Sequence, residues 1–484
     1  MRESEYKRLP LVTIGTVSVL LTCVMVYWDV CVNRRVFTNY DDPVNYVRNE
    51  RVKRFSAENL RWIFIDGAVV GVYEPVSNFI KMIVLSNVPE INHATVIVRM
   101  SLALHLANAW ILVRILAKTS LLTSQYAQCK RKTLSFALFL ATITWSMHPL
   151  RVENVAWASC LPHTLANTFA MLCVNAHLNR IVLDSKSHFD SILFITIMYA
   201  LSVFSKTSTI ALPGYLFILS VQRYGMKICN MSTLKLMLCM GFVSCVAFLQ
   251  ASKAKSQDYI QSGSLFHHLT FLSGITYTFS AFAFYVSKTI WPVSITTWYP
   301  IPQWVVIATS RDIFMEMFSF STVGHGVMFG IVSLSLLLLT TLSEKYRHCC
   351  ALLLSYIVLL VPTLGVISHH SSALAADRYV YLASAFVFAP CIMSVLSRFV
   401  FSSVLFESKW SKFILCTFFV MALSIPSQDL VRDWSSSVRL WTRGTEINPN
   451  DAMPFSSLGN AYVFFLLFEY QQHSNTNITT QVQR

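Results

Sequence analysis

Charge is what this chain has least of. Only 13% of its 484 residues are Asp, Glu, Lys or Arg, and 54% are hydrophobic, where soluble domains carry about 25% charge. That balance excludes an ordinary soluble domain and reads as a polytopic membrane protein. Acids are the scarcer sign, 24 against 38 basic residues. The excess does not indicate nucleic acid, because the basic residues form short clusters flanking apolar runs, the positive-inside pattern. The alternating ten-residue pattern of an outer-membrane barrel is also missing, so the spanning elements are helices. The twelve cysteines contain no Cys-x-x-Cys pair, and most sit inside apolar runs as small fillers. Cys31 and Cys160 fall near membrane edges on one side, so a disulfide between them is weighed beside the filler role. No small-residue cleavage site precedes Asp29, and the first apolar run reads as a retained signal anchor.

What is present is a series of apolar runs near the roughly 20 residues that cross a bilayer. Spans are expected near residues 9–30, 94–117, 133–148, 155–181, 189–205, 208–222, 234–251, 326–343, 349–367, 379–399 and 411–426. The fold class is therefore all-α and polytopic, with about eleven transmembrane helices. Basic clusters at Lys118 to Lys132, at Arg223 to Lys235 and in "SEKYRHCC" assign those loops and the N-terminus to the cytosol. The stretch 269–292 is long enough to cross, but a crossing there reverses the sidedness of the "EKYRH" loop. It is assigned as re-entrant or interfacial. Two units follow: a transmembrane domain over 1–430, whose first luminal loop spans 31–93, and a luminal segment over 431–484 that reads as a helical hairpin with a Pro-Asn turn. In the first loop, "SAENLRWIFI" opens like a capped helix lying on the membrane surface, with Ser56 followed by Asn59.

Several polar groups stand out against this background. Asp41 and Asp42 adjoin just beyond the first span, where a lipid headgroup is within reach. Adjacent carboxylates repel and titrate together, so they cost stability unless the charge is used. A carboxylate that takes a hydroxyl proton accelerates sugar transfer by roughly 10²–10⁴; the plainer role is to cap a helix or pair with nearby arginines. "HPLRVENVAW" places His148, Arg151 and Glu153 at a turn between spans, and Arg151 has the planar fork that clamps phosphate. Lys206 is a second phosphate candidate or a snorkelling cation. Ser101, His105 and Asn108 share one helix face, as interhelical glue more than as substrate contacts. "SHHSSALAADRYVYL" sets Asp377 and Arg378 beside interfacial tyrosines. His369 and His370 lack a third ligand, so no metal and no bound cofactor is expected.

Taken together, "YDDPVNYVRN", "LALHLAN", "HPLRVENVAW", "KTIWPVSITTWYP", "ADRYVYL" and "LWTRGTEINPNDAMPFSSLGNAY" resemble the transmembrane and tetratricopeptide-repeat-containing O-mannosyltransferases, in the same order, over residues 37–472. The resemblance implies a GT-C glycosyltransferase fold in the endoplasmic reticulum membrane, with the N-terminus cytosolic and the C-terminal TPR-like hairpin luminal. It implies dolichyl-phosphate mannose as donor and Ser or Thr hydroxyls of luminal proteins as acceptors. Asp41 and Asp42 match the family's acidic motif, Arg151 and Glu153 its "HPLRVE", and Arg378 its "ADRY". The chain departs from the pattern after "VAW", where Ser159 stays but a charged tetrad becomes Cys160, Leu161, Pro162 and His163. Glu74 stands where an Arg is common, and the repeat array is reduced to about one unit. A catalytically weakened membrane scaffold and a transporter remain as alternative readings.

Of the two sequons, at Asn230 and Asn477, this topology puts only Asn477 in the lumen. Glycosidase digestion is expected to shift the mobility of the wild-type and Asn230→Gln chains and to leave Asn477→Gln unmoved.

Overall fold

The computed structural model describes residues 11–69, 71–122, 131–185, 187–224, 231–262, 271–301, 347–364, 373–400 and 408–463. The expected span at 326–343, His369, His370, Asn230, Asn477 and the end of the C-terminal segment lie outside these residues. Within them the chain is mostly helical, and every other expected span contains a helix. Three helical stretches are long and apolar enough to cross a membrane: Glu90–Thr119, Met231–Ala254 and Asp377–Arg398.

In chain order the principal helices are α1 Leu11–Val26, α2 Ala57–Ile65, α3 Pro75–Leu85, α4 His93–Thr119, α5 Arg131–Ser146, α6 Leu161–Leu183 and α7 Ile192–Ser205. There follow α8 Leu212–Tyr224, α9 Met231–Ser262, α10 Phe271–Ile290, α11 Arg347–Leu360, α12 over Asp377–Arg398, α13 Lys409–Asp433, α14 Ser437–Ile447 and a final helix over 452–463. Of the stretch 269–292 assigned as re-entrant or interfacial, Phe271–Ile290 forms one helix, α10. Ser56 caps α2 as expected, its hydroxyl accepting from Asn59 N at 3.1 Å.

Helix α6 is the pillar of the bundle. It opens on Pro162, which fits the first turn because its missing N–H has no partner to lose there. It is buried on nearly every side, polar residues such as His163, Thr164, Asn167 and His177 included, and packs on α7 and α4. The polar stripe of α4 meets α12: His105 Nδ1 lies 2.7 Å and Asn108 Nδ2 3.0 Å from Tyr381 Oη, while His105 Nε2 contacts Ser146 O at 3.0 Å. These polar side chains join three helices at the level of the core, the role favoured for them by their spacing.

Two short antiparallel ribbons interrupt the helical pattern. Ala68–Val69 pairs with Val72–Tyr73, with Gly71 at φ 66° in the connection. Tyr299–Pro300 pairs with Ala373–Ala375, which suspends the approach to α12 from the loop after α10. Tyr277 of α10 adds hydrogen bonds to the carbonyls of Ala373 and Leu374, both 3.0 Å, and Ala376 N donates to Tyr285 Oη at 3.2 Å.

The C-terminal hairpin has its turn at Asn448 to Asp451, as the Pro-Asn signal predicts. Its arms touch where Gly444 leaves room for Pro454, since a Cβ there would lie 3.3 Å from the proline ring. The hairpin does not stand apart from the bundle. Trp441, fully buried, donates from Nε1 to Asn39 Oδ1 at 2.7 Å, and Asn39 Nδ2 donates to Ser457 O at 2.9 Å. Trp298 and Asp451 are bonded at 3.1 Å, and Arg443 Nε donates to Ile295 O at 2.7 Å. The hairpin therefore clamps both the first loop and the loop after α10. Trp441→Ala is expected to destabilise this cap by roughly 3 kcal/mol, read as faster proteolysis between residues 434 and 463 at unchanged detergent and temperature.

Candidate functional site

The two adjoining acids have opposite environments. Asp42 is buried and its carboxylate is saturated: Thr38 N and Oγ1 donate to Oδ2 at 2.8 and 2.9 Å, and Ser159 N and Oγ donate to Oδ1 at 3.0 and 2.5 Å. It bolts the first loop to the turn after Trp157. Burial nevertheless outweighs these donors and pushes its carboxyl up to about 6, with the neighbouring Asp41 charge adding to the rise. Asp41 is solvent-accessible, and among the described residues only its backbone carbonyl is engaged, by Asn45 N and Nδ2 at 3.1 Å each. Its carboxyl is also raised above 3.8, by desolvation first, while Arg378 and Lys206 pull it back down.

The two cations acting on Asp41 are held by acids of their own. Arg378 Nη1 meets Glu153 Oε1 at 2.6 Å, and its backbone N donates to Glu153 Oε2 at 2.7 Å, so one carboxylate fixes both ends of the residue. The guanidinium lies 5.3 Å over Trp157 and 4.9 Å over Tyr379. Lys206 pairs with Glu74, so each of the two cations has an acidic partner within the protein. Aromatic rings line this region: Tyr40 stacks on Trp157 at 5.0 Å, Trp157 on Trp434 at 5.3 Å, and Trp441 meets Tyr40 edge-on at 5.5 Å. Asp377, buried beside this group, accepts from Tyr299 Oη at 2.9 Å.

Two residues read as phosphate contacts do not join the cluster. Arg151 is 1% exposed, with its guanidinium 5.2 Å over Tyr381 and 5.8 Å over Trp145, and it faces the polar stripe of α4 rather than Asp41. Its Nε and Nη1 have no partner among the described residues. His148 is buried with both ring nitrogens occupied: Nδ1 accepts from Leu150 N at 3.3 Å as a cap, and Nε2 lies 3.1 Å from Thr289 O. Either residue looks like a surface ligand in sequence because both stand at a turn, but the turn points their side chains inward. Cys31 and Cys160 are both unpaired, Cys160 in the core and Cys31 half-buried, so the disulfide considered between them is not formed.

The residues missed from sequence are those whose partners come from far along the chain. Tyr40, Trp157 and Trp441 come from stretches far apart in sequence and meet at the Tyr40 ring. Lys81, buried 5.1 Å over the Tyr46 ring and 3.3 Å from Asn78 Oδ1, did carry a signal: a lone cation in the apolar run "NFIKMIVL". No protein-family model matches the chain, and no curated protein matches it.

Because the Asp42 carboxyl is raised from 3.8 to about 6 in the folded chain, the protonated form is favoured by folding. That contribution is complete below about pH 4 and is lost as pH rises through about 6. Thermal unfolding in detergent is expected to show this decline in the wild type and a flatter profile, at lower stability, in Asp42→Asn, which loses an acceptor oxygen to an amide donor.

Proposed function

We propose that this chain is a GT-C protein O-mannosyltransferase of the endoplasmic reticulum membrane, related to the transmembrane and tetratricopeptide-repeat-containing enzymes. It would take mannose from dolichyl-phosphate mannose to Ser or Thr hydroxyls of luminal proteins. The observation that carries this reading is the division of labour in the acid pair: Asp42 saturated by four donors, and Asp41 accessible, desolvated and under the fields of Arg378 and Lys206. Asp41 is the general base in this scheme and Asp42 a positioning residue. The acceptor oxygen attacks the anomeric carbon as its proton passes to Asp41, and the bond to the donor phosphate oxygen breaks with its electron pair leaving on the phosphate. One displacement with no carboxylate nucleophile inverts the anomeric centre. Arg378 and Lys206 are the groups suited to bear the phosphate charge, and the sidedness is the one drawn from the basic loops, with the acid pair and hairpin luminal.

A specific observation favours a second reading, a weakened relative that serves as a membrane scaffold or subunit. Both cations facing Asp41 are already neutralised internally, by Glu153 and Glu74, and the positions after Trp157 carry no cation. A donor phosphate must then compete with protein carboxylates for its contacts.

Transfer from dolichyl-phosphate mannose to an acceptor peptide by the purified full chain separates the two. The enzyme reading expects Asp41→Asn to lose at least about 10²-fold in turnover. It also expects the wild-type rate to fall with decreasing pH at a midpoint above the ordinary 3.8, since the base must be ionised and its carboxyl is raised. Wild-type turnover no greater than that of Asp41→Asn removes the enzyme and leaves the scaffold.

A further inference from the structure

Beside Arg378 a small cavity of about 20 Å³ lies between the second turn of α6, the turn from α7 into α8 and the start of α12. Asn167, Ser208, Thr209, Arg378 and Tyr379 give it polar walls, and aliphatic side chains close the rest. None of its described lining residues is acidic. A volume of this size takes one water-sized group, and so a single oxygen atom of a ligand.

We propose that this cavity seats one oxygen of the sugar donor's head, accepting a hydrogen bond from the side-chain amide of Asn167. The inference rests on the reading of the chain as a transferase that uses a polyprenyl phosphate sugar. Asn167 is only 6% exposed, it lines the cavity, and its Nδ2 has no partner among the described residues. A buried amide left unpaired costs free energy that an acceptor entering the cavity recovers. Helix-to-helix bonding does not account for this amide, because the polar seam between α6 and α7 is closed without it. Ser202 Oγ lies 2.8 Å from Ala166 O and 2.9 Å from Thr209 Oγ1, and Thr209 Oγ1 donates to Lys206 O at 3.1 Å.

The cavity also stands where the donor's charge is expected. Arg378 lines it directly, and Lys206 immediately precedes the Thr207–Thr209 turn that forms one wall. His163, one turn before Asn167 on the same face of α6, meets the Tyr379 ring edge-on at 5.6 Å, so this face is turned towards the Arg378 segment. An amide and a guanidinium with no carboxylate among the described walls select an acceptor oxygen. A non-bridging phosphate oxygen and a sugar hydroxyl share that chemistry.

The test uses the full chain in detergent, as wild type, Asn167→Ala and Asn167→Asp. Binding of dolichyl phosphate and of dolichyl-phosphate mannose is read by native mass spectrometry, beside transfer to an acceptor peptide and thermal unfolding without lipid. Asn167→Ala is expected to keep the wild-type unfolding temperature and to bind the mannose donor about tenfold more weakly. Asn167→Asp, which places an acceptor where a donor stood, is expected to lose more. Equal weakening towards both lipids assigns the oxygen to the phosphate, and weakening towards the mannose donor alone assigns it to the sugar. A wild type that binds neither lipid removes the transferase reading and this inference with it. A wild type that transfers mannose, matched in binding and turnover by Asn167→Ala, overturns this inference alone, as does a fall in unfolding temperature of both variants without lipid, which marks the amide as structural.

Discussion

One buried carboxylate organises the site. Asp42 accepts four hydrogen bonds from two residues, Thr38 and Ser159, that lie on either side of the bundle's first helical layers in sequence. A charged or half-charged group taken out of water must be fully bonded or it destabilises the fold. That requirement fixes the first loop against the Trp157 turn with little freedom. Since successive side chains cannot point the same way, locking Asp42 inward turns Asp41 outward. The accessible acid is thus a geometric by-product of the buried one.

The same logic of acids serving as anchors repeats around the acid pair. Glu153 holds Arg378 at both its backbone and its guanidinium, and Glu74 holds Lys206. The aromatic stack from Trp434 through Trp157 to Tyr40 excludes water beside these pairs and strengthens them. Positive charge is present here but constrained, which suits precise placement more than strong anion capture.

Much of the fold could be read from the sequence, because hydrophobic run length reports helices directly. The positions of α4, α9 and α12, the Ser56 cap and the hairpin turn at Asn448 to Asp451 all follow from local signals. The site was legible as a neighbourhood: Asp41, Asp42, Glu153, Lys206 and Arg378 do converge, since each stands at the same edge of the bundle. What sequence could not give was direction. At a turn no period applies, so Arg151 and His148 read the same whether they face solvent or core, and Asp41 could not be told from Asp42. The tyrosines of α10 and the Trp441 clamp were invisible because their partners are distant in sequence.

That clamp also orders events in time. Asn39 draws its contacts from Ser437, Trp441 and Ser457, which lie 398, 402 and 418 residues downstream. At ordinary synthesis rates those partners emerge on the order of 20–80 s after Asn39 itself. Once Ser159, 117 residues after Asp42, has followed, the first loop has its anchor but still no lid. A nascent chain therefore keeps Tyr40 and Trp157 without the Trp441 and Trp434 rings that cover them until its final segment arrives, so exposed aromatic rings mark it as incomplete.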